Sequence, residues 1–179
     1  MKLQFENTTI TSNLIGNYNF TNICAAVIIG KYFNVDCEAI KKGIEAYIPE
    51  NNRSQIINKG SNKIILDAYN ANPSSMHVAL TSFSSLKAAK KIVLLGDMFE
   101  LGKDAEAEHQ IIADYCLNLD FDGVYLIGEN FFKVKSNSQK LKTYKSFEDF
   151  KTNFIAPRQA SLLIKGSRGM ALERITALL

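Results

Sequence analysis

From Asn62 onward one feature repeats along the chain. Short, nearly uninterrupted apolar runs each end in a polar cluster and then give way to a stretch of helical spacing. The runs are "NKIILDAY", "KKIVLLGDM", "GVYLIG" and "ASLLIKGS", with a shorter one at "LKTYKS". Runs of this length without polar alternation suit strands buried on both faces. The intervening segments read as helices: Pro73 to Ala89, Asp104 to Leu119, the helix-like "ENFFKVK", "FEDFKTNFI", and the closing "GMALERITALL". Parallel strands need a crossover of about this length, and crossovers within one sheet are right-handed. The expected fold class is therefore α/β, a mostly parallel sheet with flanking helices. Ligands on such sheets bind at the carboxyl ends of the strands. Four polar clusters fall there: Asp67-Ala-Tyr-Asn, Gly96-Asp97-Met, Gly128-Glu129 and Lys165-Gly-Ser-Arg.

The first fifty residues follow a different pattern. "KLQFENTTI" alternates like a strand and runs into a turn. "NFTNICAAVIIGKYF" has Ile23, Ala26, Val27 and Gly30 at helical spacing, and "CEAIKKGIEAY" follows Asp36, an N-cap residue type. The polar, Pro- and Asn-bearing "IPENNRSQ" then reads as a linker. The expected division is residues 1–50 and residues 51–179.

Composition excludes several function classes. Of 179 residues, 46% are apolar and 22% charged, with a net charge of +3. No Lys/Arg run could track phosphates, so nucleic acid is not an expected partner. "KAAKK" at Lys87–Lys91 reads as a solvated helix end. No apolar run approaches the ~20 residues of a membrane span. Cys24, Cys37 and Cys116 lie far apart, without metal-ligand spacing. They fit a reducing cytoplasm, with Cys24 and Cys116 as inert core thiols and no metal site. "NTT" and "NRS" match the glycosylation sequon, but no signal peptide precedes them.

The motifs carry chemistry or plain turn geometry. "DAYNANPSSM" packs Asp67, Tyr69, Asn70, Asn72 and Pro73 between a strand and a helix, where Asn and Asp also serve as turn and cap residues. "GDMFELGKD" resembles a P-loop but has five residues between its glycines and Asp104 after the lysine, so it lacks the hydroxyl that ligates magnesium. Asp104 reads as a helix cap, while Asp97 and Glu100 remain site candidates. "IKGSRG" places Lys165, Ser167 and Arg168 among glycines, as an anion cradle or an exposed turn. His77 and His109 fall near helix starts in surface or capping roles. Phe131, Phe132, Phe147, Phe150 and Phe154 read as core.

Together, "GNYNFTNICAA", "NRSQ", "ILDAYNANPSSM", "VLLGDMFELG" followed by "EAEHQ", and "LIKGSRGMALE" resemble the carboxy-terminal part of the Mur ligases. The segments stand in family order and cover nearly the whole chain. Tyr18 stands where the family often has histidine. The resemblance implies residues 1–50 as the last piece of a central ATP-binding domain and residues 51–179 as a Rossmann-like carboxy-terminal domain. It implies ATP contacts at Asn19 and Asn22 (adenine), Asp67 (ribose) and Arg53 (ribose and phosphates). It places Tyr69, Asn70, Asn72, Lys165, Ser167 and Arg168 along the path of an incoming D-alanyl-D-alanine. The implied reaction is a cytoplasmic, ATP- and Mg2+-dependent amide ligation onto UDP-N-acetylmuramoyl tripeptide through an acyl phosphate, a step of bacterial peptidoglycan precursor synthesis. It assigns no catalytic residue to this chain, which lacks the P-loop. The rival reading is a stand-alone, non-catalytic α/β module for a nucleotide or small anion.

Overall fold

The computed structural model describes residues 1–179, apart from the side chain of Asn17. The chain divides into two compact units, Met1–Glu50 and Asn51–Leu179.

In the first unit, β1 (Lys2–Phe5) and β2 (Thr8–Thr11) form an antiparallel hairpin with Leu3 opposite Ile10. A 3-10 turn at Asn17–Asn19 leads into α1 (Phe20–Tyr32). α2 (Cys37–Ala46) starts at Asp36, whose carboxylate accepts the Glu38 N–H at 2.9 Å. The core is Ile10, Val27 and Ile40, with Leu3, Phe5 and Ile44 packed on it. Gly30 lets the two helices meet, since a Cβ there would lie 2.8 Å from the Ile40 side chain. Ile23 and Val27 are the buried residues of α1. Ala26, expected on the buried face, is exposed, and Cys24 is half-buried rather than core.

The second unit is a six-stranded sheet in the order β3-β4-β8-β5-β6-β7. Its elements are β3 (Gln55–Lys59), β4 (Asn62–Asp67), α3 (Pro73–Ser84), β5 (Lys91–Gly96), α4 (Ala105–Asn118), β6 (Gly123–Ile127), β7 (Leu141–Tyr144), α5 (Phe147–Asn153) and β8 (Ser161–Lys165). Every pairing is parallel except that of β3 with β4. The chain steps outward from β4 through β5, β6 and β7, then returns to insert β8 between β4 and β5. That return brings the carboxyl ends of β4, β8 and β5 side by side. One sheet face packs Ile64, Leu66, Ile92, Leu94, Leu162 and Ile164 against Phe150 and Ile175. The alternate residues Ile65, Val93, Leu95 and Leu163 are buried too, as expected of strands covered on both sides.

Several elements depart from the sequence reading. β3 lies within what reads as linker and its continuation. α3 stops at Ser84, not Ala89. The Ser84 and Ser85 hydroxyls donate to the Thr81 carbonyl, a local bond that competes with helix continuation. "KAAKK" is accordingly a loop entering β5, not a helix end. α4 begins at Ala105, and Asp104 makes no side-chain cap. "ENFFKVK" contains only a 3-10 turn, Phe131–Lys133, and Phe132 is exposed. The closing segment is 3-10 over Leu172–Leu178, entered through Ala171 in the left-handed region at φ 48°.

Candidate functional site

Asp67 and Lys165 end adjacent strands in direct register, so their side chains meet. The Lys165 ammonium donates to Asp67 Oδ2 at 2.6 Å and to the Asn70 carbonyl at 3.0 Å. Asp67 Oδ1 accepts the Ser54 N–H at 3.0 Å. The lysine side chain is 4% exposed and the aspartate 17%. Lys165, read from sequence as a cation for a passing carboxylate, is thus the internal partner of Asp67. Breaking a buried pair of this kind costs about 3–5 kcal/mol, because the survivor keeps an uncompensated charge. A carboxylate offers about four lone-pair sites. Asp67 therefore retains acceptor capacity toward the open side.

Arg53 and Tyr69 flank this pair. The guanidinium lies 3.9 Å above the phenol ring, and both residues are exposed. Stacking uses the face of the guanidinium and not its in-plane donors.

The asparagines that follow are largely turn chemistry. Asn70 Oδ1 accepts the Ala71 N–H at 2.8 Å. Asn72 Oδ1 accepts the Ser75 N–H at 2.8 Å while Ser75 Oγ accepts the Asn72 N–H, a reciprocal box that starts α3. Ser167 is also internal: its hydroxyl accepts the Phe99 N–H at 2.9 Å and donates to the Ala71 carbonyl at 3.4 Å. Arg168 is exposed and pairs with Glu173 at 3.2 Å. Of the six residues expected along the dipeptide path, Tyr69, Asn70, Asn72 and Arg168 are exposed. Lys165 and Ser167 are buried among internal partners, and Asn72 caps α3.

A second buried constellation lies beside it. Asp97, 3% exposed, accepts the N–H groups of Asn130 and Phe131 at 2.9 Å each. His109 is fully buried, which corrects its reading as a surface or capping residue. Its Nε2 accepts the Met98 N–H at 2.9 Å, so the proton sits on Nδ1 and points to the Ala105 carbonyl. The ring is neutral in this arrangement, and its 3.5 Å approach to Asp97 is not an ion pair. The sequence carried a signal that was missed: His109, Ile112, Ala113 and Cys116 share the buried face of α4 at helical spacing. Glu100, the other acidic candidate, is exposed at φ 65°. Cys116 is inert, its thiol pushed up to about 12 by burial.

In the first unit, Asn19 is buried. Its amide donates to the Ile15 carbonyl at 2.7 Å and its oxygen accepts from Asn22 at 3.1 Å. Asn22 lines an apolar cleft of about 380 Å³ with Leu14, Ile23, Ala26, Ile44 and Tyr47. Among the described residues no three His, Cys, Asp or Glu side chains converge on a common point, and no helix is long and apolar enough to cross a membrane.

The model of the family described as "Mur ligase, glutamate ligase domain" matches residues 52–168. The chain belongs to the Mur ligase family. Among curated Mur ligases, it is 31% identical over 186 residues to the UDP-N-acetylmuramoyl-tripeptide–D-alanyl-D-alanine ligase of Treponema pallidum, covering 99% of this chain and 40% of that protein. The Bacillus subtilis ligase of the same name is 32% identical over 174 residues, covering 90% of this chain and 38% of its own length. This Mur ligase chain thus spans about two-fifths of the relatives it matches. A crystal structure of MurF from Acinetobacter baumannii superposes with a TM-score of 0.86 at 27% identity, over 99% of this chain and 41% of that one. The MurF of Thermotoga maritima, solved in complex with ADP, shares the fold with a TM-score of 0.76 at 21% identity, over 99% of this chain and 44% of its own.

Proposed function

We propose that the chain is the carboxy-terminal part of an ATP-dependent ligase that joins D-alanyl-D-alanine to UDP-N-acetylmuramoyl tripeptide. The observation that carries this reading is the match, over 99% of the chain, to a ligase of that name. The geometry supports it. Asp67, oriented by Lys165 and the Ser54 N–H, offers its remaining lone pairs to two ribose hydroxyls. Arg53, steadied on Tyr69, offers forked donors to phosphate. Asn22 beside its apolar cleft suits an adenine ring, with Asn19 fixing the Asn22 amide. Tyr69, Asn70 and Arg168 are the exposed groups offered to the dipeptide, while Asn72, Lys165 and Ser167 shape the loops that carry them.

In this reading the tripeptide carboxylate takes the γ-phosphoryl group, and the dipeptide amine then displaces phosphate from the acyl phosphate. Magnesium would neutralise charge on the transferring group. None of the described residues is assigned to hold it, and no P-loop motif occurs among these 179 residues. The contribution of this chain is to bind the nucleoside, orient the amine and keep water from the acyl phosphate. The reading places the reaction in the cytoplasm.

Residues 1–50 are proposed as the end of the central ATP-binding domain, and residues 51–179 as the carboxy-terminal domain. α1 supports this. It is largely apolar, yet Ile28 and Ile29 are 66% and 58% exposed, and the adjoining Tyr32 and Phe33 79% and 70%. Exposed apolar side chains grouped in this way are more stable when another surface covers them.

The test is product formation. The complete polypeptide, given ATP, Mg2+, UDP-N-acetylmuramoyl tripeptide and D-alanyl-D-alanine, yields the UDP-N-acetylmuramoyl pentapeptide by mass spectrometry. ATP hydrolysis without pentapeptide, or binding without turnover, overturns the reading in favour of a non-ligase module.

A further inference from the structure

We propose that Asp97 and His109 are a positioning pair that sets the loops at four strand ends from one buried point. The inference concerns the site proposed above and rests on that reading for its consequence, though not for its geometry. The Asp97 carboxylate takes two successive N–H groups from the loop after β6. Gly128 presses on it so closely that a Cβ there would lie 2.3 Å from the carboxylate carbon, and its φ of 133° suits only glycine. The Asp97 backbone carbonyl takes the Ser167 N–H at 3.1 Å, from the loop after β8. The next residue, Met98, gives its N–H to His109. Phe99 then gives its N–H to Ser167, whose hydroxyl reaches the Ala71 carbonyl after β4. Tyr69, Asn70 and Arg168 hang on the loops fixed in this way.

A neutral imidazole and a carboxylate buried this deeply are costly unless every partner is in place. An apolar pair of similar volume would fill the same space at less cost. What apolar side chains cannot supply is an acceptor for the Met98 N–H. His109 Nε2 is that acceptor, and the Nδ1–H bond to Ala105 fixes the tautomer.

Three variants of the 179-residue chain separate positioning from packing. His109→Gln can return an acceptor near the Nε2 position, His109→Asn cannot reach it, and His109→Phe preserves bulk without an acceptor. Amide hydrogen exchange of Met98 and Phe99, measured against global unfolding, is the readout. Loss of one buried bond speeds local exchange on the order of ten- to a hundredfold. That acceleration is expected in the Phe and Asn variants and is largely reversed in Gln. If Phe protects these amides as well as His does, the pair is packing only and the proposal falls. Should the Phe variant not fold, the wild-type imidazole 15N shifts decide: protonated Nδ1 with an accepting Nε2 supports the pair, and the opposite tautomer overturns it. In the complete ligase, the apparent constant for D-alanyl-D-alanine should rise in the same variant order. A chain that shows the exchange pattern but forms no pentapeptide would fail the ligase reading and keep the positioning pair.

Discussion

At the scale of single residues, Asp67 is the most informative position. A reading of "DAYNANPSSM" as plain turn chemistry would make Asp67 a cap for α3. That cap is Asn72, and Asp67 instead sits at the strand end, bonded to Lys165 and the Ser54 N–H. Lys165→Ala should therefore destabilise the chain by about 3–5 kcal/mol, measured by urea denaturation, because it strands a carboxylate at 17% exposure. A loss under about 1 kcal/mol would mean that the pair behaves like a surface bridge. The sequence revealed which residue types gather at the strand ends. It could not reveal that Asp67 and Lys165, ninety-eight positions apart, share a register, because the order of β8 between β4 and β5 is a tertiary fact. Lys165 and Ser167 read as ligand groups from sequence, and the structure gives each of them internal partners. His109 was legible from helical spacing alone and was overlooked because a histidine near a helix start suggests a cap.

At the scale of elements, the parallel core was legible because its strands are continuous apolar runs. β3 was not: Gln55–Lys59 has an Ile pair among polar residues and adjoins a polar linker, and only pairing with β4 makes it a strand. α3 depends on its start, so Asn72→Ala should cost about 0.5–2 kcal/mol in thermal or urea unfolding, and Asn72→Asp close to nothing. α4 predicts an alkaline response. The Cys116 thiol is raised from 9.0 to about 12 by desolvation. Its folded pKa exceeds the unfolded one, so its contribution is intact below pH about 9 and is lost as pH rises toward about 12. Tyr125 and Tyr144, raised by burial, act in the same direction. Cys116→Ala should flatten the fall in stability across that window relative to wild type. An unchanged slope would show that the thiol is not desolvated as the structure has it.

At the scale of the whole molecule, two compact units and the exposed apolar side chains of α1 fit the proposal that the chain is one part of a larger ligase. The 179 residues alone should release no ADP in the presence of both peptide substrates, since they contain no P-loop for the β- and γ-phosphates. The central claim is that the carboxyl end of β4 holds the nucleoside of ATP in a D-alanyl-D-alanine-adding ligase. Steady-state kinetics of Asp67→Ala in the complete polypeptide, with unfolding curves measured alongside, test it most directly. A charged hydrogen bond is worth roughly 1.5–3 kcal/mol, so the apparent constant for ATP should rise on the order of ten- to a hundredfold while that for D-alanyl-D-alanine holds. A variant that loses stability yet shows an unaltered dependence on ATP would contradict the account.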